Sequence, residues 1–371
     1  MTAPARRLLW VLACISLRAG AVEVEDGKLS INGFGSWGYG VSTNGNSYDI
    51  AQPDGHFADG EFAFALSSRL SDKAVAAAQV QFQNDRRFVI DFAFGEWRFS
   101  DLARLRVGVV KHPFGIFAEV PRVGTLRPFF LLPAGIYRDS ELAGSGLRGA
   151  SLSGTLPAAP WRVGYDLYFG SLALPVSNVV DKLTVPGILR PGGVLVTQSE
   201  ETKYNIGGRL VLTTPMDGFD VRLSVYGTPL SEKNGPRLVG GPSLQYVGEK
   251  LTLRAEYFFF YEQGPTERDQ QRTHAAYAEV AYFVSEKIQL GARAEVYQQN
   301  LVGITRASYL EHRELAGTLN YWLDPGLVLK LSLHAIDGNR FSNPLLFDDA
   351  LLGAGFERFT LALISGVQFS F

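Results

Sequence analysis

Basic and acidic side chains recur at every second position in stretches whose intervening positions are apolar. Arg104 and Arg106, for example, alternate with Leu105, Val107 and Val109. Eleven cations occupy such positions: Arg69, Arg98, Arg104, Arg106, Arg148, Arg162, Arg209, Arg222, Arg254, Arg293 and Lys330. Five acids do so as well: Glu96, Asp166, Glu256, Glu279 and Glu295. Fixed cations in excess over acids lower the electrostatic barrier for anions, so this set predicts a surface that attracts anions. The alternative is that the arginines pair with acids on neighbouring strands. We expect such pairs for the five acids.

No combination of side chains in the chain is typical of a catalytic or metal site. The five histidines, which are His56, His112, His274, His312 and His334, are scattered, and none lies beside a serine in a recognisable motif. No glycine-rich phosphate loop follows a strand and opens a helix, and no His or Cys spacing indicates zinc. The sequence therefore predicts no enzyme activity, no cofactor and no metal, and the acidic balance without a basic cluster predicts no nucleic-acid binding.

Alternation with period two places successive side chains on opposite faces of a β-strand. The final run, residues 359–371, reads F-T-L-A-L-I-S-G-V-Q-F-S-F and shows this pattern clearly. Sixteen such runs follow one another from Leu29 onward, and they are joined by seven short turns alternating with eight other connections, most of them long. An even strand number with short turns at one end is the layout of a transmembrane β-barrel. No later segment has the roughly 20 consecutive apolar residues of a membrane helix.

The apolar face of these strands is predicted to point outward. Sixteen strands closed into one barrel enclose a lumen that side chains cannot fill, so an inward apolar face would line a hole. We therefore expect Leu329, Leu331 and Leu333 to contact acyl chains, and Lys330 and His334 to contact water inside the barrel. The eleven cations and five acids named above are accordingly expected to face inward and line the pore. Aromatic residues near both ends of the strands fit two interfacial girdles. The predicted fold is an all-β, transmembrane, antiparallel sixteen-stranded barrel with short periplasmic turns and long extracellular loops.

The N-terminal segment 1–21 has the features of a cleaved signal peptide. Arg6 and Arg7 precede an apolar stretch at 8–17, and small residues at 19–21 provide a cleavage site. The rival interpretation is a lipoprotein signal ending at Cys14. Cleavage after Ala21 removes the only cysteine and three arginines, so the formal charge of −2 becomes −5. The remaining residues, 22–371, show no composition break and are predicted to form one barrel domain.

Residues 112–142 form a long insertion between two predicted strands. The insertion contains four prolines and the apolar run Phe129 to Leu132, which suits packing against the barrel wall better than exposure to solvent. We expect it to fold into the barrel and narrow it, with Glu119, Arg122 and Arg127 reaching the lumen. The alternative is an outward loop that contacts a neighbouring subunit.

Two segments resemble known families. The aromatic end of the chain resembles the closing strand of bacterial outer-membrane barrels. The stretch Arg104 to Gly115, R-L-R-V-G-V-V-K-H-P-F-G, is similar to the R-x-G-x-x-K-x-P-F-G segment of phosphate-selective porins of the O/P type, and Gly146-Leu147-Arg148-Gly149 is similar to their following strand. This resemblance implies a homotrimeric channel for phosphate or other small anions, with Lys111 among the anion contacts.

The sequence therefore predicts a porin of the Gram-negative outer membrane that passes small hydrophilic solutes and prefers anions. Its expected partners are the lipid bilayer, lipopolysaccharide, small anionic or polar solutes and two further copies of the chain. A structural or adhesive barrel without a channel is the first alternative, and an outer-membrane hydrolase is the second.

Overall fold

The computed structural model describes residues 22–24, 28–58, 60–82, 88–138, 142–144, 146–180, 194–229, 236–263, 270–301, 310–342 and 357–371. The predicted signal peptide, residues 1–21, lies outside these ranges. Within them, no helix combines the length and the apolar character needed to cross a membrane.

Sixteen antiparallel strands form a barrel. They are β1 (Leu29–Ser42), β2 (Glu61–Arg69), β3 (Ala74–Phe82), β4 (Phe88–Ser100), β5 (Ala103–Lys111), β6 (Gly146–Ala158), β7 (Trp161–Val180), β8 (Asn205–Thr213), β9 (Phe219–Pro229), β10 (Pro236–Val247), β11 (Leu251–Glu262), β12 (Gln271–Phe283), β13 (Ile288–Leu301), β14 (Glu311–Asp324), β15 (Leu327–Asp337) and β16 (Phe359–Ser370).

Short additional elements lie in the connections. Val22–Val24, Ala51–Gln52 and His56–Phe57 pair with β1, and Val194–Glu201 forms a hairpin with the end of β7. A 3₁₀ turn at Gly124–Leu126 and the one-turn helix α1 at Ala134–Tyr137 interrupt the connection between β5 and β6.

Each barrel strand pairs with its neighbours in sequence, and the last strand pairs with the first. β16 pairs with β1 from Phe34 opposite Ser370 to Ser42 opposite Ala362. Gly33 and Phe371 exchange two backbone hydrogen bonds of 2.9 Å. The sixteen described barrel strands therefore close on themselves without a free edge, which is how a barrel satisfies its backbone groups in lipid. The predicted sixteen-stranded antiparallel barrel is confirmed.

Seven short connections lie at one end of the barrel, which we call the turn end. They are residues 70–73, 101–102, 159–160, 214–218, 248–250, 284–287 and 325–326. The opposite end, here the loop end, carries the other connections, and these contain most of the residues outside the described ranges.

The apolar face points away from the barrel axis, as predicted. On β15, Leu329 and Leu331 are each 43% exposed, whereas Lys330 is 2% and His334 0% exposed. The barrel differs from a soluble β-protein because many large aliphatic side chains of its strands are exposed on the outside, whereas most of its charged side chains lie inside. The expectation that Lys330 and His334 contact water is wrong, because other protein groups cover both side chains.

A hydrophobic core lies inside the barrel. Residues 112–138, which we call the inner segment, pack against the inward faces of the strands. Phe114 and Phe129 from the inner segment are fully buried, as are Phe258 and Phe260 on the inward face of β11. A lumen too wide for wall side chains to fill is thus partly filled by a connection between two strands.

Candidate functional site

The inner segment is held to the wall by hydrogen bonds from inward polar side chains to its backbone. Lys330 Nζ on β15 donates to the carbonyls of Gly124 at 2.8 Å and Arg127 at 2.5 Å. Arg293 on β13 donates to the carbonyl of Leu131 at 2.9 Å. A buried carbonyl without a donor is costly, so these cations satisfy the irregular backbone of the segment. Lys330 and Arg293 therefore have a structural task in this arrangement.

Glu256 on β11 is the centre of a second attachment point. Its Oε1 accepts from the backbone N–H of Ile116 at 2.9 Å and from Ser243 Oγ at 2.6 Å. Its Oε2 accepts from the hydroxyls of Tyr137 at 2.5 Å and Tyr277 at 2.8 Å. Burial, together with the nearby Glu256 charge, raises the pKa of Tyr137, so its phenol stays protonated and remains a donor. Glu256 is only 3% exposed and anchors the inner segment.

Most inward arginines on the wall pair with acids. Arg106 lies 2.8 Å from Glu96 on the neighbouring strand, and Arg209 lies 2.8 Å from Asp166 and 2.6 Å from Glu119 of the inner segment. These side chains therefore neutralise each other across β4 and β5 and across β7 and β8.

Other inward cations of the wall also pair with acids. Arg254 lies 3.0 Å from Glu279 on β12, which confirms the cross-strand pair that the alternative interpretation expected. Lys111 forms an ion pair with Asp91. Arg222 has weaker contacts, since it lies 3.7 Å from Asp220 and 3.4 Å from the carbonyl of Gly115.

Several inward acids were missed by the sequence analysis. Glu262 pairs with Arg237 at 2.6 Å, and Glu314 pairs with Arg293 at 2.9 Å. Both follow the two-residue alternation and could have been found by it. Asp91 could not, because the register shifts beside it, between Gln79 and Val80 of the partner strand. The predicted surplus of inward cations is therefore smaller than counted.

Arg148 lies on the outward face, so the prediction that it faces the interior is wrong. It pairs in register with Val109, while its neighbour Leu147 pairs with Val110 and is fully buried. Cross-strand partners share a face of the sheet. Arg148 instead forms an exposed ion pair of 2.8 Å with Glu201. The inward positions of β6 carry serines rather than charges, so the polarity of its two faces was hard to distinguish.

Four inward arginines have no acidic partner within the described ranges: Arg69, Arg98, Arg104 and Arg162. All four lie near the turn end, on β2, β4, β5 and β7. Arg98 and Arg104 are direct cross-strand partners. Two like charges at opposed positions destabilise a sheet. This arginine row, as we call the four residues, therefore has no evident role in holding the wall together.

A cavity of about 550 Å³ lies between the inner segment and the wall near β1, β2 and β4. Charged residues of both signs line it: Asp49, Glu61, Asp91, Arg122, Arg127 and Arg138. Arg122 lies 2.9 Å from Glu61, and Arg138 lies 2.6 Å from Asp49. Burial lowers the pKa of Arg127 to about 10, which leaves it cationic at neutral pH, and it donates to the carbonyl of Phe130 at 2.8 Å.

The fold is shared with solved outer-membrane barrels. OmpF of Salmonella typhi, solved in complex with daunomycin, is 9% identical over 94% of this chain and 100% of that chain, with a TM-score of 0.59. The trimer form of OmpT, an outer-membrane protein of Vibrio cholerae, is 9% identical over 92% and 99%, with a TM-score of 0.56. An anion-selective porin from Comamonas acidovorans is 10% identical over 92% and 99%, with a TM-score of 0.53. No protein-family model and no curated protein matches the chain.

The matches therefore identify the architecture, and the chemistry has to be argued from the residues of this chain. The predicted site residues separate into three groups. Arg293, Lys330 and Glu256 attach the inner segment, Arg106, Arg209 and Arg254 form pairs within the wall, and the arginine row lies at the turn end.

Proposed function

We propose that the chain forms a water-filled channel in the Gram-negative outer membrane through which small hydrophilic solutes diffuse passively. A closed wall with an apolar outside supports this function, since such a wall is stable in a bilayer and polar within. The cavity beside the inner segment supplies a space along one side of the lumen that charged side chains of both signs help to line. Barrels with the same fold include porins.

We propose further that the channel prefers anions, and the arginine row carries this proposal. Its members lie on β2, β4, β5 and β7, on the side of the barrel where the cavity lies. A solute leaving the cavity toward the turn end passes guanidinium groups that no acid neutralises in the described part of the chain. Like charges kept together against their mutual repulsion are expected where function requires a positive field.

The test is the reversal potential across a planar bilayer under a KCl gradient, for the untagged protein and the double variant Arg98→Ser/Arg104→Ser. One unit charge about 5 Å from an ion lowers the energy of an anion by about 0.8 kcal/mol in water and raises that of a cation equally. This is about four-fold in the permeability of each ion, or about sixteen-fold in the anion-to-cation permeability ratio per arginine before screening. We expect the ratio to fall in the variant. The matched control is Arg148→Ser, which removes an arginine from the outward face. An unchanged ratio in the double variant would contradict the anion preference.

Phosphate is the solute that the resemblance of residues 104–115 implies. We propose that phosphate reduces chloride conductance by competing for the same positive wall. Conductance in KCl with added phosphate measures this competition, and the absence of any reduction would restrict the proposal to small anions in general.

The alternatives make different predictions in the same assay. A structural or adhesive barrel would insert without stepwise conductance, and this outcome would overturn the channel. A hydrolase would require a nucleophile and a base in contact at a place that substrate reaches. Ser332 Oγ lies 2.9 Å from His334 Nε2, and His334 Nδ1 lies 3.0 Å from Glu314 Oε1, but the three side chains are at most 2% exposed and therefore closed to substrate. We therefore propose a non-enzymatic protein.

We propose a homotrimer whose outward faces contact lipid and lipopolysaccharide, after export through cleavage of residues 1–21. The trimer form of the related OmpT barrel supports the oligomeric state, and the outward leucines support the lipid contact. Light scattering of the protein in detergent gives the number of chains, and a mass of one chain would contradict the trimer.

A further inference from the structure

A cluster of ionisable side chains lies inside the barrel wall near the loop end. Glu295 on β13 and Glu314 on β14 are direct cross-strand partners, and His312 lies on the same inward face as Glu314. All three are buried, with exposures of 3% for Glu295, 2% for Glu314 and 0% for His312. Two carboxylates at opposed positions repel each other unless a cation lies between them.

The guanidinium of Arg293 does not neutralise the charges of both carboxylates. Arg293 lies 2.9 Å from Glu314 but 3.9 Å from Glu295, so one arginine faces two carboxylates. Glu314 Oε1 is occupied, because Arg293 and His334 both donate to it. With neutral histidines, the cluster therefore keeps an excess negative charge in a place that water does not reach.

Two members of the cluster have polar atoms without partners. Both ring nitrogens of His312 and Oε2 of Glu295 make no hydrogen bond to any part of the chain that the structure describes. Buried polar groups in proteins are almost always satisfied, so unpaired atoms of this kind point to a group that completes them. The rings of Tyr48 and Phe341 lie 5.9 and 5.2 Å from the His312 ring and enclose it.

The spacing of the ligand atoms fits a metal ion better than hydrogen bonds. His312 Nε2 lies 3.5 Å from Glu314 Oε2 and 4.0 Å from Glu295 Oε1. Both distances exceed the 2.7–3.2 Å of an N–H···O hydrogen bond. Two ligands held at about 2.0–2.1 Å from a tetrahedral zinc ion are about 3.3 Å apart. One ligand atom from each residue lies within 4.8 Å of the others, so only a small movement of Glu295 is needed.

We propose that Glu295, His312 and Glu314 bind a structural divalent transition-metal ion, with Zn²⁺ the best match. One imidazole and two carboxylates suit zinc, whereas calcium and magnesium prefer oxygen ligands alone. The hydroxyl of Tyr48 donates to Oε2 of Glu314, the oxygen that lies nearest to the His312 ring, and so orients this carboxylate. Because all three ligand residues are buried, no substrate reaches the ion, and we expect it to act as a clamp and not in catalysis.

The clamp joins three parts of the chain. Glu295 Oε1 accepts from the backbone N–H of Gly135 in α1 at 2.5 Å, and Tyr48 belongs to the connection between β1 and β2. An ion bound to Glu295 and Glu314 would therefore stabilise the attachment of both connections to β13 and β14.

The test is zinc content after folding, because a fully buried site must acquire its ion while the barrel forms. Untagged protein is folded from urea into detergent with ZnCl₂, separated from free metal by gel filtration, and analysed by mass spectrometry for bound zinc. We expect about one zinc ion per chain and at least a ten-fold lower content in His312→Gln. His56→Gln, which changes an exposed histidine, should keep the full content.

Folding of each variant is checked by β-sheet circular dichroism. A second measurement needs no variant: the wild-type chain folded with Co²⁺ should show the visible absorption of a tetrahedral N/O site, and excess Zn²⁺ present during folding should prevent it. Wild-type protein without stoichiometric zinc or this absorption would overturn the proposal, as would an unchanged zinc content in His312→Gln. Neither measurement depends on whether the barrel conducts.

Discussion

At the scale of single residues, the inward charges have different tasks that their positions along the strands do not reveal. Arg254 and Arg106 neutralise acids on adjacent strands, whereas Lys330 donates to backbone carbonyls of the inner segment. Arg98 and Arg104 face each other, and no acid of the described residues pairs with either. The buried backbone of the inner segment needs hydrogen-bond donors and acceptors. Charged side chains of the wall supply them, so these side chains do not face water in the lumen.

His112, at the start of the inner segment, provides a prediction about pH. Burial, reinforced by the nearby positive charge of Arg209, lowers its pKa from 6.5 to about 3. The unfolded chain therefore binds a proton below about pH 6.5 while the folded chain does not. Stability should then decrease as the pH falls, by up to about 1.4 kcal/mol per pH unit.

The measurement is the midpoint of thermal unfolding in detergent between pH 7.5 and 4.5. We expect the midpoint of the wild type to fall more steeply with pH than that of His112→Gln. His56→Gln should keep the wild-type slope because His56 is exposed. Equal slopes for the wild type and His112→Gln would show that His112 does not titrate as described.

At the scale of elements, the inner segment depends on a tight turn at Gly115. This residue has a φ of +56°, and a Cβ atom there would lie 2.2 Å from Tyr137 Oη and 2.7 Å from Glu256 Oε1. The left-handed conformation favours glycine, and the close approach leaves no room for a side chain. The Pro-Phe-Gly sequence therefore lets the chain leave β5 and reach the Glu256 attachment point.

We predict that Gly115→Ala loosens the inner segment. The backbone strain alone costs about 1–2 kcal/mol, and the clash with Tyr137 adds to it. Limited trypsin digestion should then cut after Arg122 faster than in the wild type. Gly45→Ala is the matched control, since Gly45 also has a positive φ of +68° but no atom within 4 Å of its Cβ position. Equal digestion rates for both variants would contradict this role of Gly115.

At the scale of the whole molecule, stability depends on the seam between β1 and β16. Phe369 and Phe371 lie over Gly35 and Gly33, whose missing side chains leave space for the two rings. The Phe371 ring also lies 6.3 Å from Phe62. The final residues of the chain thus close the barrel by backbone hydrogen bonds and by aromatic packing over the first strand.

Truncation of the terminal ring tests this seam. We predict that Phe371→Ala destabilises the folded barrel by about 0.5–1.5 kcal/mol or more through lost aromatic contacts. Urea unfolding in lipid vesicles measures the change. Phe99→Ala, which removes an outward aromatic 59% exposed at the turn end, is the control. A midpoint for Phe371→Ala no lower than that of the control would mean that the ring does not stabilise the seam.

The sequence alone was sufficient for the strands and for the direction of their faces. Alternation at residues such as Leu329, Lys330 and Leu331 has a period that only a β-strand matches, and the wall side chains of sixteen strands alone cannot fill the lumen that they enclose. Arg148 was assigned to the wrong face because β6 lacks inward charges. The strands and the direction of their faces follow from residues that are close together in the chain, so they can be inferred from a single sequence.

Only the tertiary structure decided which charges are neutralised and which polar groups meet. Arg293 contacts Leu131 at a separation of 162 residues, and Glu295 meets Glu314 through the register of two strands. His312 and Glu314, two positions apart, gave a local hint of shared chemistry, but their third partner lies on another strand. Such contacts depend on the packing of the inner segment and on the register of the strands. Both are set by the free energy of the whole fold and not by any short stretch of the sequence.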